Sequence, residues 1–522
     1  MKSLQRPLSG LLSALLLGGL VMAGCSNSEK PSAEGVENGN DTTEQTITIK
    51  MFNQASFNPT SPIPPKQDDP IRQLIEKKMN INLEMTVAPD QPLQKLNTMI
   101  ASGDVPDLIF FSDRKDMIKY YQDGLLADLD AYLDKAPDLM NRFPQTSWDQ
   151  MKYGGKTVGI PGYDLISGPN GIWIQDNWLK KLQLDVPTTP EQLMDVMKAF
   201  TFRDPDGNGK DDTYGFIGGV TKDGMLNDFG LDTLLWMFGV TPHGFDVVDN
   251  KVVYYNTDPR MKEGIAYLNQ MVSEKVIDPD WKTVTENKLL KDKMNRTKEG
   301  IVVYNWRAMD NPTNAMADEN GVIPDWIIIP PMKGPHGDQI LTYRAFQGNS
   351  WAISKKSADD PEKAQRIVNL LQYLFTDEED YKTFAYGIQD INWRIVDGKA
   401  EKVRLDPDTA KKYSFLDHYK FPRRGDDAVY FSYKNPKTAE YLELNNKYLK
   451  DNNVTPYLVP DPGDTLYADR IKYVNEMLLK FITGKEPLDK WDDYVKTLET
   501  KFNLKGYLDI VTEQLKEQGV IG

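Results

Sequence analysis

Between Thr46 and Phe111 the hydrophobic pattern switches repeatedly between a period of two and a period near 3.6, and this limits the fold more than any other feature. Thr46-Ile-Thr-Ile-Lys-Met-Phe52 alternates as a half-buried strand does. Asp69-Pro70 then opens a helix with Ile71, Leu74, Ile75 and Met79 on one face. Ile81 to Val87 alternates again, and a second helix from Pro92 to Ala101 carries Leu93, Leu96 and Ile100. Leu108-Ile-Phe-Phe111 is a short continuous apolar run, as in a buried parallel strand. Strand, helix, strand, helix, strand predicts an α/β fold with an open sheet. Such sheets hold ligands beyond the carboxyl ends of their strands. Asn53-Gln54 and Ser112-Asp113-Arg114 fall there; the alternative for each is an ordinary polar loop residue.

At 522 residues the chain is too long for one core, so two or more domains are expected. The formal net charge of -15 argues against a nucleic-acid groove or an anionic membrane surface as main partner. The single cysteine, Cys25, follows Lys2, Arg6, an apolar run from Leu8 to Met22, and Ala23-Gly24. That order is a secretory signal. The run is shorter than the roughly 20 residues a membrane span needs. Cys25 after Ala-Gly resembles a bacterial lipobox, with Met22 where leucine is more usual, which implies a lipidated, membrane-tethered mature chain. Residues 26–45 contain one large aliphatic residue, Val36, and read as a flexible tether.

Residues 157–171 are rich in Gly and Pro and mark the chain leaving its first lobe. Thr189-Pro190-Glu-Gln192 is a helix start with a capping box, followed by Leu193, Val196, Met197 and Phe200 at helical spacing. This helix runs into Asp204-Pro-Asp206-Gly-Asn208-Gly209-Lys210-Asp-Asp212-Thr213-Tyr-Gly215. Side-chain oxygens of Asp204, Asp206, Asn208 and Asp212, with the Lys210 carbonyl, alternate around Gly209 at the sixth position, where an EF-hand loop turns. The twelfth position is Gly215, so no glutamate closes the loop there. The pattern predicts a structural calcium; the alternative is an Asn-Gly surface turn. Phe216-Ile217 continues as strand, so this is no EF-hand pair. Further on, Gly300 to Tyr304 is a buried strand ending in Asn305-Trp306-Arg307, Ser350 to Ser354 another strand, and Asp360-Pro361 opens a long helix. Aromatic-rich loops at 386–393 and 413–433 precede a mostly helical stretch from Ala439 to Leu515.

Several segments together resemble the extracellular solute-binding proteins of bacterial ABC importers, in the large Gram-positive lipoprotein branch related to maltose- and alginate-oligosaccharide-binding proteins. They are the lipobox, Ala101-Ser-Gly-Asp104-Val-Pro-Asp107, Trp173-Ile-Gln-Asp-Asn-Trp178, Val186-Pro-Thr-Thr189 and the Asp204 loop, then Ser350 to Lys356, Asp360-Pro361-Glu, Phe375-Thr-Asp-Glu-Glu and Tyr386-Gly-Ile388. The resemblance implies a two-lobed periplasmic-binding-protein-like fold with discontinuous lobes and a hinge. Residues 46–165 with 346–392 would form the N-terminal lobe and 166–345 with 393–522 the C-terminal lobe, crossing near 163–170, 342–350 and 388–396. It implies a membrane-anchored monomer on the extracellular face of a Gram-positive cell, passing an oligosaccharide to the permease. In the alginate-binding relatives the loop is a calcium site away from the ligand; their tenth-position glutamate is Thr213 here. Calcium is therefore expected to stabilise the second lobe without setting sugar specificity. Trp306 corresponds to a sugar-stacking tryptophan, with Trp393, Trp236, Tyr386, Trp173, Arg307, Asn53 and Asp113 as further ligand candidates; for each aromatic the alternative is core packing.

Two other functions compete: a secreted glycosidase or lyase, and a sugar-sensing surface lipoprotein without a transport role. A glycosidase needs two carboxylates across the cleaved bond. No carboxylate that can be placed stands in an acid/base constellation, and His243, His336 and His418 lack metal-ligand spacing. A non-catalytic binding protein is the expected class. Arg307, Arg344, Arg394, Arg423 and Arg424 leave room for an acidic sugar.

Overall fold

The strand–helix alternation at the start of the ordered chain folds as its periods predict. The computed structural model describes residues 45–522 except 57, 163–169, 227–229, 295, 297, 306–324, 344–348, 424–437, 451–453 and 459–463. Cys25 and the tether lie outside the described residues, as do Trp306 and Arg307. Residues 46–522 form one unit, built on a five-stranded and a four-stranded sheet. The strands are β1 (Ile47–Phe52), β2 (Ile81–Thr86), β3 (Leu108–Phe111), β4 (Ile160–Pro161), β5 (Asn170–Gln175), β6 (Tyr214–Ile217), β7 (Glu299–Asn305), β8 (Trp326–Ile329) and β9 (Ser350–Ile353).

The first sheet has the order β2-β1-β3-β9-β4. β1 runs parallel to β2 and β3, with Ile47 opposite Ile81 and Met51 opposite Leu108. β9 is antiparallel to β3, with Trp351 opposite Phe110, and antiparallel to β4. The second sheet has the order β8-β5-β7-β6; β7 is parallel to β6, and β5 is antiparallel to β7 and β8. These directions fix where a ligand could be held. β1, β3 and β4 end, and β9 begins, at one edge of the first sheet. β6, β7 and β8 end, and β5 begins, at one edge of the second. The connections β4 to β5 and β8 to β9 both join these two edges. The expected crossings at 163–170 and 342–350 fall largely outside the described residues.

Helices α1 (Pro70–Met79), α2 (Pro92–Ala101), α3 (Arg114–Gln122), α4 (Pro190–Phe202), α5 (Pro361–Thr376), α6 (Tyr467–Ile482) and α7 (Leu504–Glu517) cover the sheets or extend the second core. Their starts obey local chemistry. Asp69 accepts from Arg72 N–H at 3.0 Å, Thr189 from Gln192 N–H at 3.3 Å, and Asp360 from Glu362 N–H at 3.1 Å. The return half of the expected box lands one residue early, with Gln192 Oε1 accepting from the N–H and hydroxyl of Thr188, each at 2.8 Å. Ile71, Ile75, Ile367 and Leu371 bury against Ile49, Leu83, Phe110 and Trp351 in the first core. Leu193, Met197 and Phe200 of α4 bury against Ile172, Phe216 and Ile301 in the second. Each such side chain contributes about 1.5–3 kcal/mol. α4 lies so close to β6 that a Cβ built on Gly215 would stand 2.5 Å from the Met197 carbonyl oxygen.

In the stretch expected as a third crossing, Trp393–Val396 pairs with Lys399–Lys402 in a hairpin. Tyr381, Tyr386 and Trp393 pack with Trp173 of the second sheet, while Phe415, Leu416, Tyr419 and Phe421 return to the first core. The first core thus reaches past the expected boundary at 392.

Candidate functional site

The strand-end residues divide once their hydrogen bonds are traced. Asn53, just past β1, is fully buried; its Nδ2 donates to His418 O at 2.8 Å and its Oδ1 accepts from Ala55 N–H at 2.8 Å. Both ends of the amide are committed to backbone partners that hold the chain here. Asp113 is exposed and caps α3, accepting from Lys115 N–H at 2.9 Å. Arg114 turns inward: its Nε donates to Gln150 O, and its Nη2 to Lys152 O at 2.7 Å and Gln518 Oε1 at 3.2 Å.

The aromatic candidates within the described residues are wall, not free surface. Trp173 is fully buried on central strand β5, donating Nε1–H to Tyr304 O at 3.0 Å, with its ring edge-on to Tyr441. Trp236 meets Tyr343 edge-on at 4.6 Å inside the second core. Trp393 gives its N–H to Gly387 O at 2.9 Å, and Tyr386 lies under the Arg423 guanidinium at 5.7 Å. Trp173 lies on a central strand with both faces covered, so its ring serves packing first, and the other three rings are buried as well. Of the arginines weighed for an acidic sugar, Arg394 is exposed, Arg423 donates Nε–H to Ala385 O at 2.8 Å, and Arg344 and Arg424 lie outside the described residues.

A cavity of about 1010 Å³ receives residues from both sheet edges: Lys115 at the start of α3, and Lys222, Asp223 and Met225 in the loop after β6. The rest of its wall includes His243 and its neighbours, Tyr343, both Tyr467 and Asn475 of α6, and Tyr507 and Gln514 of α7. The volume is at the upper end of the about 300–1,000 Å³ that small-ligand pockets span. The wall is braced from behind by Arg470, which is fully buried, ion-paired with Asp464, and stacked over the Tyr507 ring at 3.8 Å. His243, held at φ 58°, shares a 2.6 Å hydrogen bond between Nε2 and Asn475 Oδ1. The amide oxygen can only accept, so Nε2 carries the proton, and burial holds the ring's pKa below its usual value, keeping it neutral. Burial pushes Tyr254 up to about 12 and Tyr507 upward as well, so both phenols stay neutral. None of the sequence candidates among the described residues lines this space. Its signal was helical spacing: 467, 471 and 475 share one face of α6, and 507, 511 and 514 one face of α7.

The Asp204 loop draws its acidic groups together. Asp204 accepts from the N–H of Gly207, Asn208 and Gly209 at 2.9–3.1 Å. Asn208 Nδ2 donates to Asp206 at 2.8 Å and Asp212 at 3.1 Å. Lys298 Nζ lies 2.9 Å from Asp212 Oδ2 and 3.2 Å from Asp206 Oδ2. Thr213 is buried and donates its hydroxyl to Phe200 O at 2.8 Å. Among the described residues no group of three or more His, Cys, Asp or Glu side chains is arranged to hold a metal ion.

Comparison with known proteins fits this architecture. The family model described as bacterial extracellular solute-binding protein matches residues 64–380. Lipoprotein LipO of Bacillus subtilis (strain 168) is 27% identical over 436 residues, covering 82% of this chain and 80% of the relative. The polygalacturonan/rhamnogalacturonan-binding protein YtcQ of the same organism is 25% identical over 94% of this chain and 95% of its own length. Among solved structures, an EF-hand mutant of the Streptococcus pneumoniae ABC-transporter substrate binding protein FusA, in complex with fructo-nystose, superposes with a TM-score of 0.62 at 20% identity, over 91% of this chain and 100% of that one. Among the described residues no helix is long and apolar enough to cross a membrane. With two sheets joined at their strand ends and a family match over most of the chain, the protein belongs to the bacterial extracellular solute-binding proteins, which are binding proteins and not enzymes.

Proposed function

We propose that the protein is the substrate-binding component of an ABC importer, capturing an oligosaccharide where its two sheet edges meet and passing it to the transmembrane permease subunits. The cavity carries this reading. Tyrosine rings offer faces for sugar C–H groups, while Asp223, Asn475, Glu476 and Gln514 supply acceptors and donors for hydroxyls. Its volume suits more than one sugar ring, and both YtcQ and FusA are named for oligomeric or polymeric sugars. Asp113, beside the cavity residue Lys115, and Trp306 and Arg307, which follow β7 in sequence, are the further contacts proposed. Ligand that bridges both edges favours the closed arrangement over the open one.

In this reading Cys25 carries the lipid, residues 26–45 are the tether, and the protein works as a monomer on the extracellular face of a Gram-positive cell membrane. The lobes are 46–165 with 346–392 and 166–345 with 393–522, the 415–421 segment packing on the first. The loop takes calcium as a structural ion. Asp204, Asp206, Asn208, the Lys210 carbonyl and Asp212 are oxygen donors of the kind a hard cation selects, carried on one loop in which the Asn208 amide touches Asp206 and Asp212. Calcium held there would neutralise the carboxylates and tie α4 to β6, away from the sugar.

Thermal-shift and calorimetric titration with fructo-oligosaccharides and galacturonides tests the assignment. One class should raise the melting temperature and be recovered unchanged. No shift with any sugar at millimolar concentration, or turnover of the sugar, would defeat it.

A further inference from the structure

The side-chain amide of Asn475 is set by a chain of bonds that begins at a backbone N–H. His243 N–H can only donate, and it donates to Asn256 Oδ1 at 3.3 Å, which turns the Asn256 amide so that its Nδ2 faces His243 Nδ1 at 3.4 Å. Asn256 is fully buried, and its carbonyl accepts from the Tyr494 hydroxyl at 3.2 Å, so this end of the chain is anchored in the second core. An amide nitrogen donates only, so Nδ1 is the ring's acceptor and Nε2 carries the proton. Burial keeps the ring neutral, which leaves Nδ1 its lone pair. Nε2–H then donates to Asn475 Oδ1 at 2.6 Å. Asn475 is only 4% exposed; its Nδ2 meets no acceptor among the described residues and opens on the cavity that Asn475 lines.

We infer that Asn475 is a specificity-determining residue of the cavity, presenting an N–H donor and never an acceptor to the bound sugar, and that His243 is the positioning residue that holds the amide that way round. An unanchored amide can flip and offer either end. Here a flip would set Nδ2 against Nε2–H, donor to donor, and break a buried hydrogen bond. The ligand atom that Asn475 meets is therefore an acceptor oxygen: a hydroxyl, a ring or glycosidic oxygen, or a carboxylate. The ammonium of an amino sugar could not take that place. The inference rests on the proposal that the cavity holds the sugar, and narrows it to the polarity of one contact.

The test uses the full chain and calorimetric titration with fructo-oligosaccharides and with galacturonides. Asn475→Asp keeps the shape and the oxygen that accepts from His243, but turns the cavity-facing donor into an acceptor. It should bind whichever sugar wild type binds at least about tenfold more weakly. Asn475→Ala removes the donor without adding a charge, should the aspartate variant fail to fold, and should also lose affinity. His243→Asn suits the φ of 58° at that position and breaks the relay. It should weaken binding too, but combined with Asn475→Ala it should bind no worse than Asn475→Ala alone, since His243 acts only through the amide. A merely structural His243 would add a loss of its own, and losses that add would overturn its positioning role. Undiminished affinity in Asn475→Ala, with wild type still binding, would overturn the donor role and leave the importer reading intact. No binding by wild type would overturn both.

Discussion

His418 ties the loop after β1 to its own segment by three bonds. Its carbonyl accepts from Asn53, its Nδ1 accepts from the Ser56 hydroxyl at 2.8 Å, and its Nε2–H donates to Ser61 O at 3.0 Å. Burial keeps its pKa below the usual 6.5, with the Ser61 bond acting the other way. The sign follows. Below about pH 6.5 the unfolded chain takes up a proton that the folded chain refuses, so stability is complete above that pH and is lost as pH falls through the folded value. The melting temperature is expected to hold near neutrality and drop as pH falls below about 6.5. His418→Gln should melt lower at neutral pH but show a shallower acid drop; an acid drop of the same steepness would refute the assignment. His243, also lowered by burial, supplies a remainder of the same sign. At this scale the sequence was least informative. Asn53 was correctly placed after a strand, yet nothing local says that its amide points to a carbonyl from residue 418. Trp173 could not be told from a ligand-facing ring, because its fate depends on lying between β7 and β8.

Elements were legible where their cause is local. Strand alternation, the Asp69, Thr189 and Asp360 caps, and the inner face of α4 all follow from neighbours within a turn or two, and all appear in the structure. Contacts between elements were not. The second core rests on α4 meeting β6 at backbone distance, which Gly215 alone permits. Gly215→Ala puts its methyl against the Met197 carbonyl, a backbone atom that cannot rotate away. It should cost about 1–3 kcal/mol in denaturant melts, as overpacked sites do. A loss below about 0.5 kcal/mol would mean that α4 shifts freely and does not fix the sheet. The cavity was missed for a related reason. α6 and α7 read simply as helices near the end of the chain, and only the fold aims their tyrosines into shared space.

For the whole molecule the discontinuous two-sheet plan was legible through family resemblance more than through local pattern, and the structure adds what clasps the plan together. Arg114 leaves the first sheet's edge to meet Gln518, just beyond α7, and to stack on Tyr457 at 5.7 Å. Burial pulls its pKa down to about 10, so the clasp remains charged at neutral pH. Arg114→Ala should enlarge the ligand-free protein in small-angle scattering and weaken sugar binding about tenfold, that is about 1.4 kcal/mol. Unchanged scattering and affinity would reduce Arg114 to a brace for the Gln150 and Lys152 carbonyls. β9 bears on a different matter, the order in which the protein can be made. It lies between β3 and β4, but the chain writes it after the whole second sheet. A nascent chain therefore carries an unfinished first sheet, with the inner side of β3 unpaired, until Ser350–Ile353 emerges. The piece that completes the first sheet is thus made late, and its premature closure is withheld by the order of the text itself.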